Sequence, residues 1–252
     1  MDNPLHAWKA YFADIWERTS LATGQYARAF EAVYDLEYVD SEAAASVRHL
    51  PATLLPLLVV TRTLDYTLVS PRSRRKVPGQ VSGRDMLVAE PGWPEPLRER
   101  ALGYELFVDG KPVDISRAVM RKEVNGELQV ELAHRFTFAG SAHVRFIKRT
   151  IEPASDYFDF LWMRLPLEGM SVRYQSTRPR KFIHCLFSAN RLKTGAYHVV
   201  QDNATCLHID HPGWVNPGEG IMVVPVAVPA ADSAPAPATP TSRGTATPAA
   251  SE

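Results

Sequence analysis

A short segment in the C-terminal third of the chain combines thiol, imidazole and carboxylate groups. Cys206, His208 and Asp210 are separated by single residues, so on a strand their side chains would point to one face. If a strand containing Cys185 lies alongside, the four residues could supply the sulfur, nitrogen and oxygen ligands that zinc accepts. Zinc sites usually use loop-borne ligand pairs with two to four residues between them, and that spacing is absent. The pattern favours buried cysteines and hydrogen-bonded or exposed histidines, with a zinc site as the alternative.

Catalysis by a cysteine–histidine pair is the second chemistry that these residues suggest. His184 and Cys185 are neighbours on a predicted strand, so they point to opposite faces and cannot form a dyad with each other. Cys185 with His208 would need a polarising environment for the thiolate, which the adjacent apolar residues do not supply. The common phosphate-loop, dinucleotide, zinc-protease and serine-hydrolase motifs are absent from the sequence. We therefore expect a protein without enzymatic activity, the alternative being an enzyme of unknown reaction that uses this Cys/His cluster, with or without a metal.

Basic residues next to aromatic residues predict a site for an anionic ligand. Arg178, Arg180 and Lys181 lie between Tyr174 and Phe182. In a β domain, loop cations beside strand aromatics can bind an anion such as a nucleotide. Solvated loop charges are the competing interpretation.

The charges balance over the whole chain but not along it. Lys plus Arg is 28 and Asp plus Glu is 28. Residues 1–50 carry four basic and eight acidic side chains, whereas residues 51–229 carry 23 basic and 18 acidic ones. This excess of five positive charges is too dilute for a nucleic-acid footprint, so nucleic acid is not a predicted partner. The two oppositely charged parts could instead dock on each other, within a chain or between chains.

The sequence contains no predicted membrane-spanning helix or secretion signal. Its most apolar stretch, residues 50–60, is about half the ~20 residues that a spanning helix needs, and it contains two prolines. The first residues lack the basic start and apolar core of a leader. We therefore expect a cytoplasmic protein.

The start of the chain has the spacing of a helix. Asn3 suits an N-cap and Pro4 suits the first helical position. Apolar or small residues then recur at intervals of three and four as far as Leu36, which predicts a helix over 3–36. The stripe begins with Leu5, Trp8, Phe12 and Ile15. We expect it to pack on the chain's own body or to pair with a second copy, and a second short helix to cover 43–50.

From residue 57 onward the apolar period changes from helical to two, which is typical of strands. Residues 70–96 are rich in Pro, Gly and Arg and predict an irregular connection. Asp109-Gly110 and Asn125-Gly126 are favoured hairpin turns. Further strands are predicted at 142–151, 157–165, 170–176, 181–188, 196–201, 204–209 and 220–228.

These elements predict an α+β protein that is predominantly β. A helical segment (1–50) would precede an antiparallel β-sandwich or β-barrel (51–229), and an Ala/Pro/Thr/Ser-rich disordered tail (230–252) would follow. The function predicted from this organisation is a binding or sensor module. Its β domain would hold an anionic ligand or a protein partner, and its helix would mediate packing or assembly.

Overall fold

A computed structural model describes residues 24–39, 57–71, 76–87, 102–124, 127–154, 157–187 and 197–228. These residues form fourteen strands and one short 3-10 turn, Ser116–Ala118. The strands are β1 (Tyr26–Val39), β2 (Leu57–Val69), β3 (Val77–Leu87), β4 (Leu102–Val108), β5 (Lys111–Val113), β6 (Val119–Val124), β7 (Glu127–Phe138), β8 (Ser141–Pro153), β9 (Asp159–Trp162), β10 (Leu167–Ser176), β11 (Arg180–Phe187), β12 (His198–Asp202), β13 (Cys206–Val215) and β14 (Gly220–Ala227).

Eight strands form one large mixed sheet in the order β12-β13-β10-β1-β2-β8-β4-β5. All neighbours in it are antiparallel except β1 and β10, which run parallel. Apolar and polar residues alternate along its strands, so one face is buried and the other is polar. On β1, for example, Ala32, Tyr34 and Leu36 point to the buried inner face, while Asp35 and Glu37 are exposed on the outer one.

Two three-stranded sheets cover different parts of this inner face. The first, β11-β14-β9, packs Phe182, Ile221 and Leu161 onto the β1–β10–β13 half of the large sheet. The second, β3-β7-β6, packs Val81 and Leu132 onto the half formed by β2, β8 and β4. Among the described residues the core therefore consists mainly of two clusters on one continuous sheet, and Val130 forms a small separate one.

Three adjacent strands of the large sheet are irregular at the same level. In β1 the register shifts at Ala29, whose φ of 51° lies in the left-handed region. In β10 it shifts at Gly169, with φ 79°, where two residues of β13, Pro212 and Gly213, lie opposite this one residue. Such bulges insert unpaired residues and bend a sheet. In β1 the bulge turns Ala27 to the inner face and Arg28 outward, so an apolar residue meets the core.

The predicted N-terminal helix is wrong over residues 26–36, because residues 26–39 are strand β1. Residues 30, 32, 34, 36 and 38 are all buried, and this strand period of two competes with the helical spacing that we followed. Tyr and Val also favour a pleated surface over a helix. Residues 3–23, with the stripe of Leu5, Trp8, Phe12 and Ile15, lie outside the described residues, as do the predicted helix 43–50 and the tail 230–252.

The predicted class, α+β with an antiparallel β domain, is also corrected. The described residues contain no α-helix, and the large sheet is mixed because β1 pairs in parallel with β10. Within the supposed irregular segment 70–96, residues 77–87 are strand β3, which pairs with β7 along its whole length. The strands predicted from residue 57 onward and the Asp109-Gly110 hairpin are confirmed. Among the described residues no helix is long and apolar enough to span a membrane.

Candidate functional site

A cleft of about 580 Å³ lies where the three sheets meet. Its floor is the inner face of β2 and β8, where Leu64, Tyr66 and Phe146 line it. One wall is the segment of β9 around Trp162, and the opposite wall is β3 around Val81. The cleft exists because the two small sheets cover the two halves of the large sheet without meeting over its centre.

Four cationic side chains line this cleft. Arg62 and Lys148 come from β2 and β8, Arg135 comes from β7, and Arg164 follows β9. Arg164 Nη1 donates a hydrogen bond of 2.6 Å to Ser82 Oγ on β3, so it bridges the two walls. The described lining residues include no carboxylate, imidazole or thiol. The cleft therefore has a positive, amphipathic lining.

Two of these cations are direct neighbours across a strand pair. Arg62 on β2 is the register partner of Lys148 on β8, and both belong to positions that point to the inner face. Like charges directly opposite each other destabilise a sheet, and partial burial increases the cost. An anion bound between them would offset that repulsion.

A cluster of buried polar groups supports Arg62 from behind the cleft. Arg62 Nη1 lies 3.9 Å from Asp159 Oδ1, and its guanidinium lies over the ring of Tyr34 at 5.2 Å. The Tyr174 hydroxyl donates a hydrogen bond of 2.7 Å to Asp159 Oδ2. Burial on its own lowers the pKa of Arg62. The surrounding tyrosines and Asp159 outweigh this effect, so the pKa is raised overall and the group stays cationic. Its Nε is buried and has no hydrogen-bond partner.

Phe30 and Tyr66 form an aromatic pair that lines the cleft. Phe30 and Tyr66 stack at 5.8 Å between ring centroids, with an interplanar angle of 29°. Burial raises the pKa of Tyr66 to about 12, so its hydroxyl is neutral at physiological pH. This surface can contact the apolar body of a ligand while the cations hold its charge.

The predicted basic site is only partly assembled. Arg180 and Arg178 both lie over the ring of Tyr38, with their guanidinium carbons 3.9 Å and 5.8 Å from its centroid. Lys181 is exposed on β11. Tyr174 and Phe182 are buried in the core, 6.3 Å apart between ring centroids, so neither is available to a ligand from solvent.

The four predicted metal ligands do not come together. Cys206, His208 and Asp210 share the outer face of β13, as their alternation predicts. Cys185 is exposed on β11, in a sheet that covers the opposite face of the large sheet. Within the described ranges, no group of three or more His, Cys, Asp and Glu side chains is placed to hold a metal ion.

Ser171 on β10 gives this outer-face cluster the composition of a catalytic triad but not its geometry. Ser171 Oγ lies 3.0 Å from His208 Nε2, and Asp210 Oδ1 lies 3.0 Å from the same nitrogen. In a triad the carboxylate orients the histidine through one ring nitrogen, and the other accepts the nucleophile's proton. Here both partners compete for one nitrogen, so this arrangement does not activate the serine.

Comparison with known proteins gives weak likenesses only. No protein-family profile and no curated protein matches the chain. Among solved structures, a provisionally assigned nutrient binding protein from Legionella pneumophila is 5% identical with a TM-score of 0.39, the match covering 79% of this chain and 70% of that one. A provisionally assigned protease from Parabacteroides distasonis is 10% identical with a TM-score of 0.40, covering 79% and 40%. An M1 zinc metallopeptidase from Deinococcus radiodurans is 10% identical with a TM-score of 0.34, covering 79% and 42%. Likenesses at this level assign neither a fold family nor a function.

Proposed function

We propose that this protein is a binding module whose cleft holds an amphipathic organic anion, one with an acidic head and an aromatic or aliphatic body. The observation that carries the proposal is the cationic lining: four basic and no acidic side chains among the described residues around a cleft with an apolar floor. Its volume of about 580 Å³ falls in the range of roughly 300–1,000 Å³ that is usual for small-molecule sites.

The cross-strand pair of Arg62 and Lys148 supports an anionic rather than a neutral ligand. Register places the two cationic side chains next to each other, so a carboxylate, sulfonate or phosphate can contact both at once. The unpartnered Nε of Arg62 adds a buried donor that a ligand or a water molecule can satisfy.

The same lining supports binding rather than catalysis. General bases are most often carboxylate or imidazole groups, and the described lining residues include neither. Tyr66, the one tyrosine in the lining, stays protonated at neutral pH because burial raises its pKa to about 12.

A pair of dyes that differ in one charge tests the proposal. Anilinonaphthalene sulfonate carries an anionic group on an aromatic body, and N-phenylnaphthylamine has similar rings without the sulfonate. We expect saturable binding of the sulfonate dye, at least tenfold tighter than that of the neutral dye, measured by fluorescence titration. Lys148→Met should weaken sulfonate binding about tenfold and leave the neutral dye nearly unaffected, because one charge-assisted contact is lost.

Arg145→Met is the matched control, because Arg145 lies three residues earlier on β8 and points to the opposite face of the sheet. Its loss should not change dye affinity. Equal affinity for the two dyes, or equal effects of the two substitutions, would contradict an anion site in the cleft.

The Arg178–Arg180 pair on Tyr38 is the second candidate anion site. Two guanidinium groups converge on one ring there, and the Nε of Arg180 is buried without a hydrogen-bond partner. Arg180→Gln in the same titration separates the two candidates. If sulfonate affinity falls with Arg180→Gln and not with Lys148→Met, the anion binds at this pair and not in the cleft.

A further inference from the structure

The outer faces of the two sheets that enclose the first core cluster have opposite character. On the large sheet the outer face carries charges of both signs, including Asp65 and Arg145, and a hydrogen bond of 2.6 Å joins His143 Nε2 to Asp65 Oδ1. A sheet that packs on the core with one face only usually exposes polar side chains on the other face. The outer face of the β11-β14-β9 sheet does not follow this rule.

This second outer face is apolar. Inward positions such as Leu161, Ile221 and Val223 lie in the core, so the alternate positions point away from it. Those outward positions are occupied by Phe158, Phe160, Met222, Val224, Val226 and Ile183. Register places Phe160 beside Met222 and Val224 beside Ile183, so the residues form one surface. Phe158 is 62% exposed and Ile183 is 52% exposed.

The charges that border this apolar face are cationic. Lys181 lies at one end, as the register partner of Val226, and Arg164, whose Nη1 donates to Ser82 across the cleft, lies beyond the other end. Among the described residues, no carboxylate occupies an outward position on β9, β14 or β11. Exposed aromatic and aliphatic side chains bordered by Lys and Arg are the features with which proteins bind anionic lipid surfaces.

We propose that the apolar face docks on the surface of an anionic lipid bilayer. A second copy of the chain fits this face less well, because the described outward positions offer no carboxylate to pair with its cations. An anionic bilayer offers both complements: headgroup charge for Lys181, and an acyl boundary for the Phe and Ile side chains.

The position of the cleft agrees with this docking mode. β9 is the edge strand of its sheet, and Phe160 and Trp162 belong both to its outward positions and to the lining of the cleft. A bilayer seated on the apolar face would therefore lie beside the opening of the cleft. The inference goes beyond the proposed binding function and does not depend on it, because docking requires only the exposed residues.

Vesicle flotation of the full chain tests the inference. We expect the protein to float with vesicles of equimolar phosphatidylcholine and phosphatidylglycerol, and at least fivefold less with phosphatidylcholine alone. The double substitution Phe158→Ser with Ile183→Ser should reduce partition at least tenfold, because the apolar contact is lost. Met120→Ser is the matched control, since Met120 is 58% exposed on β6 in the other small sheet, and it should have no effect.

A charge reversal tests the same face without touching any apolar side chain. Lys181→Glu should lower partition onto the anionic vesicles severalfold, and Lys111→Glu on the exposed hairpin strand β5 should not.

Partition that is unaffected by both the double substitution and Lys181→Glu would overturn the inference. So would a vesicle-free dimer that the double substitution dissociates, because the face would then be a contact between copies. Sulfonate-dye binding in the cleft should persist in all these variants, so failure of docking and failure of the cleft site are distinguishable.

Discussion

Two aromatic pairs on the inner face of the large sheet have similar chemistry but different surroundings. Tyr34 and Tyr174 stack at 4.3 Å between centroids and 11° between planes, and both are fully buried. Phe30 and Tyr66 stack more loosely, at 5.8 Å and 29°, and both line the cleft. The first pair lies beneath the β11-β14-β9 sheet, and the second lies between the two small sheets.

The difference shows that the covering sheets, and not the large sheet itself, decide what an inward-facing residue does. Where a small sheet covers the pair, the rings make contacts on every side and contribute to stability. Where the cover is missing, rings of the same kind form an apolar surface that a ligand can contact. The large sheet is continuous across both regions, so one scaffold serves stability and binding.

Truncating one member of each pair should show the largest contrast. Tyr174→Ala should cost about 3–5 kcal/mol in the free energy of unfolding, because it opens a cavity and removes the hydrogen-bond donor to Asp159. Tyr66→Ala should cost about 1–2 kcal/mol, because part of its surface already faces the cleft. Urea unfolding measures both.

Sulfonate-dye affinity should change in the reverse order, with Tyr66→Ala weakening it and any folded Tyr174 variant, such as Tyr174→Phe, leaving it intact. Equal losses of stability for the two alanine variants would show that the cleft is closed in solution.

The strands from residue 57 onward were predictable because their signals are local. On β2, apolar residues at 58, 60, 64, 66 and 68 share the inner face, and the polar residues at 61, 63, 65 and 67 share the face toward water, which produces the period of two. The Asp109-Gly110 turn is equally local, since both residues take positive φ values, 50° and 74°, that these residue types tolerate. Strand β1 was missed because Tyr26, Val33 and Leu36 fit a helical spacing as well as a strand spacing.

The cleft was not predictable from local pattern, because four separate parts of the chain bring its cations together. One signal was present: Arg62 occupies a position in β2 where the period of two calls for an apolar residue. Lys148 does the same on β8. A charge on the apolar face of a strand indicates either a buried ion pair or a site, and register was needed to show that the two cations are neighbours. The Arg178–Arg180 cluster could be predicted as a group of basic residues because its members are close in sequence, and its role as a ligand site stays a prediction.

A pH titration should sharpen the comparison with a smaller effect. Burial raises the pKa of Tyr66 to about 12, above the value of about 10 for an unfolded tyrosine. Between these values the unfolded state has lost the proton and the folded state still holds it. Stability from this group is therefore fully present below about pH 10 and is lost as the pH rises to about 12, by about 2–3 kcal/mol in total.

Tyr66→Phe supplies the reference, because it keeps the ring and removes the titrating hydroxyl. The wild-type chain should lose more stability than Tyr66→Phe across this interval, measured by urea unfolding at stepped pH. The other buried tyrosines are present in both chains and cancel in the difference. Parallel pH dependences would mean that the Tyr66 hydroxyl is in contact with water, and the floor of the cleft would be wetter than its neighbours indicate.

The smallest expected effect concerns the bulge beside the looser pair. Ala29 precedes Phe30 and has a φ of 51°, which costs a side chain with a Cβ roughly 1–2 kcal/mol relative to glycine. Ala29→Gly removes that cost but adds roughly 0.4–1 kcal/mol of unfolded-state entropy, so the net stabilisation should be below about 1 kcal/mol.

Ala32→Gly is the matched control, since Ala32 is fully buried three residues along the same strand and outside the positive-φ positions. It should destabilise the fold by about 1 kcal/mol, because a methyl group leaves the core and strand glycine is costly. If both substitutions destabilise equally, β1 runs without the left-handed residue, and its register at the cleft, including the inward turn of Ala27, would have to shift by one.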